Sequence, residues 1–184
     1  VEKPIACVFT KIDYDHQEFL GDTLELITNE KLGILKTGAK VFVAQQQQCV
    51  TDQILTVCRD RAFECYTAGQ NFSFQPEEAG AVSYCFKNLI SIINQNKQIS
   101  NKIRINEMAL VGEHQQENVA TAIAVYFSVI EENKRLSNNQ IQTSLKKINW
   151  PGRIQYLNTQ KSILLDGAHN LCGMRSLLSY LVNN

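Results

Sequence analysis

Lys40-Val-Phe-Val-Ala44, a helix-patterned stretch from Thr51 to Ala62, and Phe63-Glu-Cys-Tyr-Thr67 together decide the fold class. Two short apolar runs separated by an amphipathic segment read as strand, helix, strand. Parallel neighbours need a crossover connection long enough to hold a helix, so this order predicts a parallel sheet in an α/β fold. Upstream, Ile5 to Thr10 reads as another strand, which gives way to a polar stretch holding Asp13, Asp15, His16 and Glu18. A helix follows, with Asp22 as its expected N-cap, Glu25 three residues on, Leu24, Ile27 and Leu35 as an apolar stripe, and Gly38 as its stop.

Downstream the pattern loosens. Asn71 to Asn106, with the polar run Asn94-Gln-Asn-Lys-Gln98, reads as an irregular insertion or connection. Met108-Ala-Leu-Val111 reads as a strand running into Gly112, and helices are expected from about Asn118 to Glu132 and from Asn139 to Ile148. Trp150-Pro-Gly152 breaks the periodicity, so a domain boundary is placed there, giving units 1–149 and 150–184. Beyond it come strand-like runs at Ile154 to Leu157 and Ser162 to Leu165, then Asp166-Gly-Ala-His-Asn170 and an amphipathic helix that runs to the chain end. With Val1 rather than Met at the start and a helical pattern still open at Asn184, both ends read as cut.

The composition narrows the function classes. Of 184 residues 44% are hydrophobic, enough for one good core, and no apolar run has a membrane-spanning length. Eighteen basic residues balance eighteen acidic ones, which leaves no net field to gather nucleic acid or an anionic membrane. The six cysteines are scattered without a C-x-x-C pair and read as reduced, mostly buried thiols in a cytosol-like compartment.

All three histidines fall in polar turns beside carboxylates or amides: His16 after Asp15, His114 between Glu113 and Gln115, and His169 before Asn170. The C-terminal edge of a parallel sheet is where ligands sit. His16, with Asp13 and Asp15 near, has the donor atoms for a divalent metal, or else packs on a turn that the two aspartates cap. Lys31 sits beside Gly33, which costs about 1 kcal/mol inside a helix; it reads as a phosphate-binding charge, a desolvated base, a carbamate, or a solvated lysine. Asn118 either caps the helix after Gly112 or touches a ligand base or ribose. Arg153 suits phosphate and Asp166 suits a ribose hydroxyl, if a hairpin brings them together; Asp166-Gly167 reads equally as a plain strand-to-helix turn.

Six strings carry a resemblance: Thr10-Lys-Ile-Asp-Tyr-Asp-His16, Leu20-Gly-Asp-Thr23, Glu30-Lys-Leu-Gly-Ile34, Gly112-x-His-Gln-x-x-Asn118, Trp150-Pro-Gly-Arg153 and Leu164-Leu-Asp-Gly-Ala-His-Asn170. In this order they resemble the motifs of the folylpolyglutamate synthases and related dihydrofolate synthases, within the Mur ligase group. The resemblance implies the C-terminal half of a central P-loop-type domain followed by the start of a Rossmann-like domain. It implies an ATP- and magnesium-dependent ligase that adds L-glutamate to the γ-carboxylate of folate through an acyl phosphate. By the same resemblance His16 is a magnesium ligand and Lys31 the lysine carboxylated to a carbamate. Asn118, Arg153 and Asp166 are ATP contacts, and His169 is a further candidate in the last string. A monomer in the cytoplasm, plastid or mitochondrion is expected, with no nucleic-acid or membrane partner. Dihydrofolate synthase activity, alone or combined, and a non-catalytic remnant acting as a binding module are the alternatives.

The chain also departs from the pattern. It has no G-x-x-G-K-[ST] string to cradle the β- and γ-phosphates, so it is expected to bind ATP poorly by itself. Leu171-Cys172 stands where the family usually has a proline.

Overall fold

The computed structural model describes residues 2–15, 17–87, 89, 101–158, 160 and 162–183. The expected strand-helix-strand unit is present as β2 (Lys40–Val43), α3 (Gln48–Asp60) and β3 (Cys65–Thr67), preceded by β1 (Ala6–Phe9), α1 (Gln17–Leu20) and α2 (Leu24–Leu32). The three strands form a parallel sheet in the order β1-β2-β3, with Cys7 opposite Val41 and Val41 opposite Cys65. Alternation along the strands divides the core between the two faces. Cys7, Phe9, Val41 and Val43 join Leu24, Ile27, Val50, Ile54 and Cys58 under α2 and α3. Phe42 and Tyr66 point the other way and stack with ring centroids 5.1 Å apart.

That second face is covered by α4 (Glu113–Val129), through Val119, Ala120, Ile123, Ala124 and Phe127. The same helix also packs on β4 (Phe72–Pro76) and β5 (Val82–Phe86), which with β6 (Asn101–Ile105) form an antiparallel sheet in the order β4-β5-β6. Here the reading of Asn71 to Asn106 as irregular is corrected. Phe72, Val82, Tyr84, Phe86, Ile103 and Ile105 recur at every second position and are buried, the period of a half-covered strand. Asn94 to Gln98 lies outside the described residues.

Several boundaries move. The N-cap of α2 is Thr23, whose Oγ1 accepts the Leu26 N–H at 3.2 Å; Asp22 lies one residue too early to reach that turn. The helix ends at Leu32 with Gly33 as C-cap, well before Gly38, so Gly33 escapes the mid-helix cost. Met108 to Val111 is not a strand; Met108 and Leu110 pack against the core, and the Ala109 N–H donates to the Leu145 carbonyl. α5 (Asn138–Lys147) begins with a complete capping box between Ser137 and Gln140. A two-residue hairpin, β7 (Gln155–Tyr156) against β8 (Leu164–Leu165), leads to α6 (Leu171–Asn183). Of the six thiols, all free, Cys7 and Cys58 are buried, Cys49 is exposed and the other three are intermediate, fewer buried than expected. Among the described residues no helix is long and apolar enough to cross a membrane.

Candidate functional site

At the C-terminal edge of the parallel sheet the strand exits are tied together by side chains. Buried Gln46 accepts the Ile12 N–H and donates to the Thr10 carbonyl, both at 2.8 Å, which fixes the exit of β1 against that of β2. The Gln45 N–H donates to Glu117 Oε1 at 2.7 Å and fixes the β2 exit against α4. Burial raises the pKa of the Glu117 carboxyl, opposed by the Gln45 N–H and by Lys11, with Glu113 adding to the rise.

Gly112 is the N-cap of α4, at φ 101°, and a Cβ there would lie 2.8 Å from His114 Cε1 and 3.6 Å from Ile154 Cδ1. Only glycine combines that backbone conformation with that closeness. The imidazole of His114 therefore folds back over the helix start, next to the Trp150–Ile154 corner. Burial lowers the His114 pKa; the Asp166 carboxylate opposes the fall and the Arg153 guanidinium adds to it.

The hairpin does bring Arg153 and Asp166 together. Asp166 Oδ2 accepts the Ile154 N–H and Oδ1 accepts the Ala168 N–H, each at 2.8 Å. A Cβ on Gly167 would stand 3.5 Å from an Arg153 guanidinium nitrogen, and the Gly167 N–H donates to the Gly152 carbonyl at 2.8 Å. The turn reading of Asp166 is therefore the one its hydrogen bonds show. Each carboxylate oxygen has one backbone donor and keeps a second lone-pair direction. His169 Nδ1 lies 2.8 Å from the Gly167 carbonyl and Nε2 lies 3.9 Å from Asp15 Oδ2, bridging this turn to the β1 exit loop. Cys172 faces Asp13 and Lys11 from the first turn of α6, its pKa raised chiefly by burial. In place of a proline, Asn170 Oδ1 accepts the Gly173 N–H at 2.8 Å and starts the helix.

Asn118 lies one turn beyond His114 on α4, exposed, with Nδ2 3.4 Å from Gln115 Oε1. It does not cap the helix, which begins five residues earlier than its pattern suggested because Glu113 to Glu117 are polar and hide the start. Lys31 is half-buried in the last turn of α2, and among the described residues no hydrogen bond or ion pair joins its ammonium to the cluster. His16 lies outside the described residues. His114 was singled out in the sequence with the other two histidines but given no role of its own, although its place in a glycine-led turn was the available signal.

No family model matches the chain. Curated proteins do. Over 96% of its length the chain is 29% identical to the dihydrofolate synthase/folylpolyglutamate synthase of Bacillus subtilis (strain 168), of which it covers 40%. It is 28% identical over 97% of its length to the folylpolyglutamate synthase of Lacticaseibacillus casei, and 28% identical over 96% to the dihydrofolate synthetase of Saccharomyces cerevisiae, again covering 40% of each. Its relatives are folylpolyglutamate and dihydrofolate synthases. The solved structures agree in fold. A folylpolyglutamate synthase described as an AMPPCP-folate complex superposes with a TM-score of 0.76 at 25% identity, over 98% of this chain and 42% of that one. E. coli FolC in complex with DHPP and ADP gives 0.74 at 21% identity, over 96% and 37%. The chain therefore shares the mixed α/β fold of these synthases and spans about two fifths of the length of the three curated synthases named above.

Proposed function

We propose that the protein carrying this chain is an ATP-dependent ligase that joins L-glutamate to the γ-carboxylate of folate. The observation that carries the reading is the closure of the Arg153–Asp166 corner onto the His114 end of α4, in a chain matched almost throughout by folylpolyglutamate and dihydrofolate synthases. On this reading residues 1–149 belong to the central ATP-binding domain and 150–184 begin the C-terminal one, so the corner lies where the two meet.

The residues have the chemistry for a nucleotide. The exposed Arg153 guanidinium offers forked donors to phosphate oxygens. The Asp166 carboxylate, held by two backbone N–H groups, has acceptor capacity left for ribose hydroxyls. Asn118 presents an amide toward a base or ribose, His114 stays neutral beside them, and His169 is positioned between this turn and Asp15. In the reaction, a carboxylate oxygen of folate attacks the γ-phosphorus of ATP and ADP leaves. The amine of glutamate then attacks the acyl carbon, phosphate leaves and an amide remains. Cationic donors offset the charge that builds on the transferring phosphoryl group.

Lys31 enters this proposal as a carbamate, an anion in place of a cation. Magnesium enters through His16. Among the described residues no group of three or more His, Cys, Asp or Glu is placed to hold a metal ion, so these residues do not by themselves build its shell. The reading includes a monomer working in the cytoplasm or an organelle.

ADP release by the full-length protein tests this. Release is expected only with folate and L-glutamate both present, and Lys31→Ala is expected to abolish it without unfolding the protein. Release independent of either substrate, or wild-type turnover in the variant, overturns the assignment. The relatives that are named as dihydrofolate synthases favour one second reading, in which dihydropteroate is the acceptor; substituting it for folate separates the two.

A further inference from the structure

At the opposite, N-terminal edge of the parallel sheet two cysteines, Cys58 and Cys65, share one core cluster. α3 ends in a turn where Ala62 takes a left-handed conformation, φ 54°, and the Phe63 N–H donates back to the Cys58 carbonyl at 2.8 Å. This helix-ending geometry sets residue 63 beside residue 58. Side chains two apart in extended backbone share a face. Phe63 and Cys65 accordingly both pack against the cluster that contains Cys58. Cys65 and Cys58 influence each other's ionisation, and Arg61 stands close, its guanidinium 4.9 Å from the Phe63 ring centre. Cys58 is 2% exposed, while Cys65 is half-buried and offers the way in.

We propose that Cys58 and Cys65 are a redox-responsive pair, a modification site that a hydroperoxide converts to an intrachain disulfide. The electronic arrangement agrees with the geometry. The S–H of Cys65 and the charge of Arg61 favour thiolate at Cys58 over the opposing effect of burial, and Cys65 is held protonated. The Cys58 thiolate attacks the peroxide, the O–O bond breaks, and sulfenic acid and hydroxide form. The Cys65 sulfur, losing its proton, then displaces water from the Cys58 sulfur. In sum two thiols and one hydrogen peroxide give one disulfide and two waters. The bond closes the ring from residue 58 to 65 and ties the last turn of α3 to the first residue of β3.

The test exposes the folded protein to hydrogen peroxide, quenches in acid, alkylates in denaturant and maps the thiols by mass spectrometry without reduction. The expected product is monomeric, two mass units lighter, with Cys58 and Cys65 linked and both protected from alkylation. Cys65→Ser and, separately, Cys58→Ser are expected to remove that product. If Cys58 and Cys65 are still separately alkylated when exposed Cys49 is already oxidised, or if either is linked to another cysteine, the proposal fails. The wild-type map decides this even where a variant does not fold.

Discussion

Asp166 holds the amide of Ile154, twelve residues earlier, through a 2.8 Å bond to Oδ2, and its other oxygen takes the Ala168 N–H. One carboxylate thereby fixes both the corner that carries Arg153 and the turn that carries His169. Ile154 is 6% exposed, so its N–H has little access to water as a substitute partner.

Asp166→Ala is therefore expected to destabilise the fold by about 1–3 kcal/mol, the cost of leaving a buried donor unpaired. Asp166→Asn, which keeps one acceptor oxygen, is expected to lose less. Urea denaturation of the two variants beside wild type checks the order, and equal midpoints for all three contradict it.

His114 gives a pH dependence whose sign follows from its surroundings. Burial holds its pKa below the ordinary value of 6.5, so between those two values the unfolded chain binds a proton that the folded chain does not. The contribution to stability is whole above about pH 6.5 and is lost as pH falls through the folded value. His114→Gln is expected to remove this slope from the difference between variant and wild type, measured as urea midpoints from pH 7.5 to 5. Asp166→Ala is expected to lower the His114 pKa further, since the carboxylate now opposes the fall; NMR titration of the ring reads this directly.

Glu117 works in the other direction. Burial raises its pKa, so the folded state holds a proton longer than the unfolded state, and the penalty for its charge grows as pH rises through the folded value. Glu117→Gln keeps an acceptor for the Gln45 N–H and carries no charge. The variant is expected to match or exceed wild-type stability at pH 7, with its relative advantage shrinking toward pH 4.5. A variant much less stable at pH 7 would mean that the ionised carboxylate is needed at the α4 junction.

The strand-helix-strand unit was legible because alternation and amphipathic period both changed within residues 40–67. The antiparallel sheet was not: Phe72, Tyr84 and Ile105 carry a period-two signal, but Ser, Gln and Arg fill the facing positions and the polar run Asn94 to Gln98 interrupts the repeat. The N-cap of α2 was misplaced because Asp22 and Thr23 both cap well, and only the position of buried Leu24 distinguishes them. The meeting of Arg153 with Asp166 was readable from the Trp-Pro-Gly corner and the two short strands. The approach of His114 to them was not, since it depends on the corner at Ile154 folding onto the Gly112 end of α4, a contact between segments far apart in sequence; the glycine-led turn was the one local hint.

The central claim is that residues distant in sequence meet at one nucleotide site, and an ADP titration of the full-length 15N-labelled protein followed by amide chemical shifts tests it most directly. The account predicts that the shifts concentrate at Gly112–Asn118, Gly152–Ile154 and Asp166–His169, and that Arg153→Ala weakens binding by about tenfold or more, the loss of a charged hydrogen bond. Shifts confined to other surfaces, or affinity unchanged in Arg153→Ala, would contradict it.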